Sequence, residues 1–353
     1  MAIDFGRNLV MSIGPTPAAG PNGETVYNTY VGTDHLGFTV LPGSRLSFEH
    51  DIREEMSARG KAAMSPYDMA AGLRRWGYDG SFNLPKEGLG YWLYYTFGCV
   101  TSSVISGGFY KHIIDVNDPA IGTDGTPPSI SVRLLDDNRE WHLAGGHVKS
   151  LELVMSLDNF WRVNFSLIGG TYANTALGAA PSYTVPAAGR YYLTSDDFDF
   201  KVNTAGAANW PAANFSVKFE RNYAEDAEAS YTSGSAERVR LASAGAPAFT
   251  CTGSTRSLYS ATTTFDTFDA YTQFRVEAVN KTVAGENLVA VSTAGYALKV
   301  ALEKCYAVAW DKEDAGGITL QKLDFRATYD TAATDIEVTT QDKLATPITQ
   351  GTP

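Results

Sequence analysis

The sequence predicts a mainly β fold: a β-sandwich or barrel domain flanked by an α-helix and duplicated in tandem. Short hydrophobic runs with period-two alternation recur between turn clusters, which is typical of sandwiches and barrels. A Gly-Ser pattern appears twice, at Gly80 and at Gly253, and each time a long polar stretch precedes it and a β-rich segment follows. Because an internal repeat usually indicates one structural unit used twice, we expect two copies of one domain.

Composition excludes several classes of protein. The 353 residues suffice for about two domains, and a hydrophobic content of 44% provides a sizeable core. A net charge of −11 is opposite to the basic surface of a nucleic-acid binder. Three cysteines give no disulfide framework and favour free thiols in a reducing compartment. No signal peptide and no membrane-spanning stretch are expected.

Changes in composition divide the chain into five parts. Residues 1–25 are rich in Gly, Pro and Ala and are predicted to form an N-terminal arm. Residues 26–170 form the first domain, and residues 171–189, again rich in small residues and proline, form a linker. Residues 190–340 form the second domain, and residues 341–353 an irregular tail.

The one clear helix is predicted over residues 86–97 of the first domain. Pro85 suits the first helical position and Glu87 the first turn, while Gly98 supplies the stop. Helical spacing places four apolar side chains on one face: Leu89, Trp92, Leu93 and Phe97. Before the helix, the alternation at Arg45 to His50 predicts a half-buried strand. The second half shows strands in the same order but no matching helix.

A long charged segment, residues 51–68, interrupts the first domain. Loops this long inside compact domains are usually functional or make contacts, although a solvated surface loop is the simpler reading of the sequence alone. The polar stretch at residues 222–237 has the same position in the second half. We take the candidate contact residues of the first loop to be Asp51, Arg53, Glu54, Glu55, Met56, Arg59, Lys61 and Met64.

No catalytic, cofactor or metal site is predicted. His142 and His147 have a spacing that occurs in zinc fingers, but no Cys-x-x-Cys pair accompanies them. Neighbouring carboxylates such as Asp196 and Asp197 would face opposite sides of a strand and so cannot act together. The chain has neither a nucleophile elbow nor a phosphate-binding glycine loop.

The segment from Gly80 to Gly98 resembles the signature of the tube proteins of tailed-phage tails. It reads Gly-Ser-Phe-Asn-Leu-Pro and continues into Glu-Gly-Leu-Gly-Tyr-Trp-Leu-Tyr-Tyr-Thr-Phe-Gly. In that family a strand bearing Gly-Ser-Phe leads into a helix with a Leu-Gly start and a Phe-Gly or Leu-Gly end. Later segments follow in the family's order, including Gly146 to Val154 and Leu323 to Thr328, and the resemblance covers roughly residues 25–345.

The resemblance implies a structural subunit of the tail of a long-tailed phage, and not an enzyme. Sheets of neighbouring subunits would join into rings, and rings would stack through long loops such as residues 51–68. The result would be a hollow, negatively lined tube through which DNA passes without specific binding. Six tube domains usually complete one ring, so a chain with two would form a trimer rather than a hexamer.

The same resemblance implies the partners and the location. The chain would assemble with itself and with the tail terminator, tail initiator and tape measure proteins. Assembly would take place in the host cytoplasm, the product would be the virion tail, and no membrane would be involved.

The alternative reading is a carbohydrate-binding or carbohydrate-cleaving β-sandwich, which the six tryptophans favour. Exposed, coplanar tryptophans would support that alternative, whereas buried tryptophans would support the tube.

Overall fold

In the computed structural model, the described residues form seventeen β-strands and one α-helix. The structure describes residues 10–14, 24, 29–33, 35–54, 69–116, 127–135, 139–156, 160–176, 192–194, 198–202, 212–223, 249–258, 269–271, 273–280, 294–315, 318–328, 335–343 and 348. A mainly β fold with a flanking helix, as the sequence predicts, is confirmed.

The elements follow one another along the chain, with the helix α1 at Leu89–Phe97. The strands that precede residue 190 are β1 (Val10–Gly14), β2 (Leu36–Thr39), β3 (Arg45–Glu54), β4 (Met69–Asn83), β5 (Gly98–Val104), β6 (Tyr110–Val116), β7 (Ile130–Leu135), β8 (Arg139–Ser156), β9 (Arg162–Gly169) and β10 (Tyr172–Ala176). The later strands are β11 (Phe198–Val202), β12 (Ala212–Arg221), β13 (Phe249–Leu258), β14 (Phe274–Asn280), β15 (Ala297–Ala315), β16 (Ile318–Ala327) and β17 (Ile336–Asp342).

Eight antiparallel strands form one continuous sheet in the order β3-β4-β9-β8-β12-β13-β16-β15. The two halves of the chain meet at its centre, where β8 pairs with β12 from Asn214 opposite Ser156 to Glu220 opposite Ser150. On one face of this junction Leu153, Val217 and Phe219 are fully buried. Each such side chain stabilises the fold by about 1.5–3 kcal/mol, so the halves share a core as well as a ladder.

The remaining strands extend this arrangement at both ends of the long strands. The first part of β8 lies between β7 and β10, and β7 pairs with β1, which pairs with β2. The first part of β15 lies between β14 and β17. Beyond them, β11 pairs with β14, and β6 lies between β17 and β5.

Segments predicted as arm, linker and tail contribute to the sheets and the core. β1 lies within the arm, and its Met11 and Ile13 are fully buried. β10 lies within the linker predicted at residues 171–189, where it pairs with Arg139–Leu143 of β8. Ile348, in the predicted tail, is 1% exposed. Short alternating runs among small residues thus suffice for pairing when a long neighbouring strand supplies the other side of the ladder.

The two halves repeat one pattern of strand pairing. Six pairings of the first half have a counterpart in the second, in the same chain order: β1–β7 and β11–β14, β3–β4 and β12–β13, β4–β9 and β13–β16, β7–β8 and β14–β15, β8–β9 and β15–β16, and β8–β10 and β15–β17.

β-Bulges give this repeat its residue-level register. One bulge falls between Val148 and Ser150 of β8, and its counterpart falls between Ala307 and Ala309 of β15. A second register shift also occurs at matching positions. It follows the pairing of Ile130 with Gly146 in the first half and the pairing of Phe274 with Cys305 in the second. All four agree on one alignment, in which Lys149 of β8 corresponds to Val308 of β15.

This alignment corrects the equivalence of Gly80 and Gly253 that the sequence suggests. Leu167 pairs with Val148, the residue before the β8 bulge, and Phe325 pairs with Ala307, the residue before the β15 bulge. Since Tyr78 pairs with Leu167 and Gly253 pairs with Phe325, Gly253 corresponds to Tyr78. The offset is two residues, so both glycines keep the same face of the sheet. Each lies opposite a phenylalanine, and a Cβ on Gly253 would lie 2.2 Å from the Phe325 ring.

The helix begins later than predicted and ends where predicted. Pro85 forms an isolated bridge with Tyr192, so the chain is still extended there, and the helix starts after Gly88. Gly98 adopts a positive φ of 91°, and its N–H bonds to the carbonyl of Tyr94, which closes the helix. All nine helical residues are buried, and Trp92 packs against Phe82 and Phe165.

A buried arginine from the second half donates hydrogen bonds to the backbone carbonyls at the end of this helix. Arg221, at the end of β12, is 3% exposed, and its Nε donates to the carbonyl of Thr96 at 2.7 Å. Its Nη2 donates to the carbonyl of Phe97, and its guanidinium lies 5.5 Å from the centre of the Phe249 ring. A cation at a helix C-terminus is favoured by the helix dipole, so Arg221 joins the two halves through the helix.

We expect Arg221→Met to lower the free energy of unfolding by about 2–4 kcal/mol, because two buried helix carbonyls lose a charged donor. Urea denaturation followed by tryptophan fluorescence measures the change. Arg326→Met is the matched control, since Arg326 is exposed on β16 and the substitution removes the same charge. Equal stability of the two variants would show that Arg221 does not hold the helix end.

Candidate assembly surface

The eight-stranded sheet has one apolar and one polar face. On the apolar face lie the buried residues of its strands, including Tyr78, Leu151, Phe165, Val217 and Phe325. Because side chains alternate along a strand, their neighbours in sequence share the other face. That face crosses the junction between β8 and β12 without interruption, so it belongs to both halves of the chain.

Charged side chains on the polar face contact one another. Acidic and basic groups alternate between neighbouring strands and along single strands. The charge pairs are Arg75 with Glu49, Lys218 with Glu220 (2.5 Å), Arg256 with Glu313, and Lys322 with Asp324 (2.9 Å). Neutral donors bind two further carboxylates: Asn164 donates to Glu152 at 2.8 Å and Ser166 to Asp79 at 2.6 Å. Exposed pairs of this kind contribute at most about 1 kcal/mol each to stability. They therefore affect the charge pattern of the surface more than the stability of the fold.

The two outer strands of this sheet differ in character. β3 carries the exposed Arg45 and Glu49 beside the half-buried Leu46 and Phe48. Residues 311–314 of β15 are all exposed and charged, although Lys312 and Asp314 occupy positions that alternate with the polar face. Charges at core-facing positions of an outer strand discourage uncontrolled pairing. Sequence reasoning missed this edge, whose only signal is the break in alternation after Trp310.

β3 and β4 extend as a two-stranded arm beyond the rest of the sheet. β4 pairs with β9 from Trp76 to Asn83, whereas its pairing with β3 continues to Glu54 opposite Met69. Residues 69–75 thus extend the hairpin by about 24 Å, at about 3.4 Å per residue. Glu54 and Met69 are the last described residues of the arm, and residues 55–68 connect them in sequence.

The structure corrects the beginning of that loop. Asp51, Arg53 and Glu54 belong to β3, whose ladder continues through a bulge between His50 and Ile52. Their charges do not interrupt the strand, because outside the main sheet neither face has to be apolar. The other candidate contact residues, Glu55, Met56, Arg59, Lys61 and Met64, lie outside the described residues.

A serine, a histidine and an aspartate lie together on β5, β6 and β17. The His112 ring, fully buried, places Nδ1 2.8 Å from the Ser102 hydroxyl and Nε2 3.3 Å from Asp342. Ser102 donates its own proton to the carbonyl of Ile348. Since that proton is committed to a backbone carbonyl, the imidazole cannot act as its base, and the cluster secures the C-terminal segment instead.

The cysteine thiols are not activated as nucleophiles. Burial raises the pKa of Cys99 to about 12, and the Asp115 carboxyl beside it adds to the effect. Burial also raises the pKa of Cys251 and of Cys305 above the usual range. A nucleophilic cysteine needs a lowered pKa, so none of these thiols is activated, and Cys251 and Cys305 pack as small apolar groups of the core.

Among the residues that the structure describes, no group of three or more His, Cys, Asp or Glu side chains is arranged to hold a metal ion. His142 stacks on Tyr30 with ring centres 4.1 Å apart and contacts Glu140 at 2.5 Å. His147 instead packs against Tyr223, so the two histidines serve separate parts of the core.

The tryptophans do not form a carbohydrate platform in the described part of the chain. Trp76, Trp92 and Trp161 are buried. Trp141 and Trp310 are partly buried and pack against the core, and Trp210 lies outside the described residues. The feature that motivated the carbohydrate alternative is thus explained by core packing.

Comparison with known proteins identifies the family. The family model described as phage tail tube protein matches residues 14–347, nearly the whole chain. No curated protein matches the sequence of this chain. No helix within the described residues is long and apolar enough to cross a membrane.

We expect Cys99 to react with iodoacetamide at pH 8 at least about tenfold more slowly than a free cysteine, because little of the thiol is ionised below its raised pKa. Mass spectrometry of the intact, labelled chain measures the rate. The urea-unfolded chain is the control, in which all three cysteines should be labelled quickly. Asp115→Asn should speed the reaction, since it removes the carboxyl that opposes ionisation. Rapid labelling of the folded wild type would contradict the buried environment.

Proposed function

Because the chain belongs to the phage tail tube protein family, we propose that its rings stack into a tube whose negatively lined channel lets DNA pass. Members of this family are structural proteins of the phage tail, so the protein is not an enzyme and is a component of the virion. The observation that carries the assembly proposal is the continuous sheet that already joins two similar halves side by side.

Three chains form each ring. The six matched strand pairings and the aligned bulges support two tube units in one chain: one built on residues 26–170 and extended by β1 and β10, and one built on residues 190–340. A ring of six units then needs three copies. The helix and the β5–β6 hairpin occur between β4 and β7, and the described residues between β13 and β14 contain no equivalent strand pair. Units of unequal size favour a ring in which they alternate.

The polar face of the eight-stranded sheet lines the channel. Most of its side chains are charged, hydroxylic or amide groups, and the core covers the opposite face. Paired charges offer DNA phosphates few free cations, so nothing on this face would retain DNA. The chain's net charge of −11 supports a negative channel, since like charge prevents adhesion.

The arm formed by β3 and β4 stacks one ring on the next. Its residues 69–75 pair with β3 beyond the end of the β4–β9 ladder, and residues 55–68 connect the two strands of the arm. A loop carried in this way can reach a neighbouring ring. The contact residues would be Glu55, Met56, Arg59, Lys61 and Met64, with Asp51, Arg53 and Glu54 on the arm.

The tube grows from a tail initiator around a tape measure protein, and a terminator ends it. We place its assembly in the host cytoplasm and its final form in the tail of a long-tailed phage. These partners follow from the family and from the need to start, measure and stop a stack of identical rings.

Deleting residues 57–64 should leave the subunit folded and able to form rings but unable to stack them. The deleted residues lie outside every described ladder, so circular dichroism and the unfolding midpoint should match the wild type. Electron microscopy of the assembled protein counts rings and tubes. Tubes of normal length would contradict the stacking role.

The isolated ring should contain three chains. At 38.0 kDa per chain, three chains give about 114 kDa. Native mass spectrometry distinguishes this ring from one of six chains, which would have twice that mass. A six-chain ring would contradict two tube units per chain, and a protein that stays monomeric with a tail initiator present would contradict the tube itself.

A further inference from the structure

The junction inside the chain indicates how two chains meet. Resting on the proposed trimer, we propose that residues 309–313 of β15 in one chain pair, antiparallel, with residues 45–49 at the start of β3 in the next chain. Leu46 then lies opposite Lys312, and Arg45 opposite Glu313. The partner is a second copy of this chain, and the register follows from the internal repeat.

The first step is the equivalence of the strands. Leu46 pairs with Tyr78, and Val217 pairs with Gly253, which the bulge alignment sets as the counterpart of Tyr78. Leu46 is therefore the counterpart of Val217. On the other side of the junction, the matched bulges at Lys149 and Val308 make Lys312 the counterpart of Leu153.

The second step transfers the register. Within the chain, Val217 lies opposite Leu153, as part of the ladder between β12 and β8. In the described part of the chain, β4 is the strand that pairs with residues 45–50, and β16 is the strand that pairs with residues 306–315. Each of these strands thus has a second side on which the internal junction can be repeated.

The third step is chemical complementarity on the polar face. Arg45, exposed, comes to lie opposite Glu313, so opposite charges meet across the seam. Glu313 already contacts Arg256, and its carboxylate has enough acceptor sites for both guanidinium groups. Ser47 lies opposite Asp311, a hydroxyl facing a carboxylate. No pair of like charges is created at these positions.

The fourth step concerns the apolar face. Phe48 lies opposite Trp310, and both are partly buried aromatic side chains that pack against the core. Phe48 is held by Trp141 and Tyr172, at ring-centre distances of 4.9 and 4.3 Å. Lys312 covers Leu46 with its alkyl stem while its amine reaches water. The seam therefore continues the core with a more polar version of the internal junction.

Chains with one accessible cysteine test this register, because Cys251 and Cys305 are buried. On a Cys99→Ser background, chains with Arg45→Cys are mixed with chains with Glu313→Cys, assembled with a tail initiator, and oxidised with copper phenanthroline. We expect a disulfide-linked dimer of chains on a non-reducing gel, because directly opposed residues are within reach of a disulfide. Ser47→Cys with Asp311→Cys should behave in the same way.

Two controls define the result. Arg45→Cys with Asp311→Cys is a diagonal pair about 7–8 Å apart and should link at least about fivefold less. Ser216→Cys with Val154→Cys in one chain is the internal counterpart of the first pair and should link within the monomer. More efficient linkage of the diagonal pair, or no linkage in rings seen by electron microscopy, would overturn the register and leave the tube function standing.

Hydrogen exchange of the wild-type chain tests the same interface independently, in case the cysteine variants fail to assemble. Amide hydrogen exchange of the wild type should slow several-fold on assembly within residues 45–49 and 309–313. Unchanged exchange there in assembled rings would overturn the proposal. If the wild type forms no rings at all, the proposed function fails, and this interface fails with it.

Discussion

The pairing of β8 with β12 is the interaction on which the rest of the structure depends. The second part of β8 lies between β9 and β12, so the residues from Ser150 to Val154 have a paired strand on both sides. Without β12 it would be an unprotected edge in the middle of the chain, beside a fully buried Leu151 and Leu153. This one ladder turns two four-stranded sheets into a single sheet of eight, with one core on one side and one polar face on the other.

Further contacts across the two halves reinforce that ladder. Arg221 leaves the end of β12 and binds the last carbonyls of α1, which lies between β4 and β5 in sequence. β17, near the C-terminus, pairs with β6 of the first half, and Asp342 at its end contacts the buried His112. The halves therefore interact through a ladder, a helix end and a buried side-chain cluster. Their relative orientation is set within the chain, before any second chain is present.

The sequence predicts the class of fold and the helix but not the way the halves are joined. Helical spacing and Gly98 are local signals, and both were sufficient. The prediction that the helix begins beside Pro85 was wrong, because the fixed φ of proline suits an extended bridge as well as a helix start. The equivalence of Gly80 and Gly253 was two residues wrong, since only the bulges carry the register, and a bulge leaves no mark in composition. Pairing between β8 and β12 joins residues far apart in sequence, which local patterns cannot indicate.

For the candidate surface too, the sequence predicts the local features but not the way that the topology combines them. The charged residues 51–68 were recognisable by their length, but their start was misplaced because charge does not end a strand outside the main sheet. The polar face was readable strand by strand from alternation, whereas its continuity over eight strands needed the topology. The edge at residues 311–314 could not be recognised from the sequence, because four consecutive charged residues interrupt the alternation that marks a half-buried strand. The structure makes it part of a nineteen-residue strand.

The difference between the internal and the external junction follows from what each must do before assembly. Inside the chain the apolar face can be built from Leu153, Val217 and Phe219, because folding covers them at once. The edges of a free subunit face water, and a fully apolar edge would pair with any available strand. Lys312 at the position of Leu153 makes the free edge soluble, and its stem can still cover an apolar neighbour once a partner arrives. A charge at this position therefore weakens each seam but makes it specific, and a ring with several seams can tolerate that loss because its closure engages all of them together.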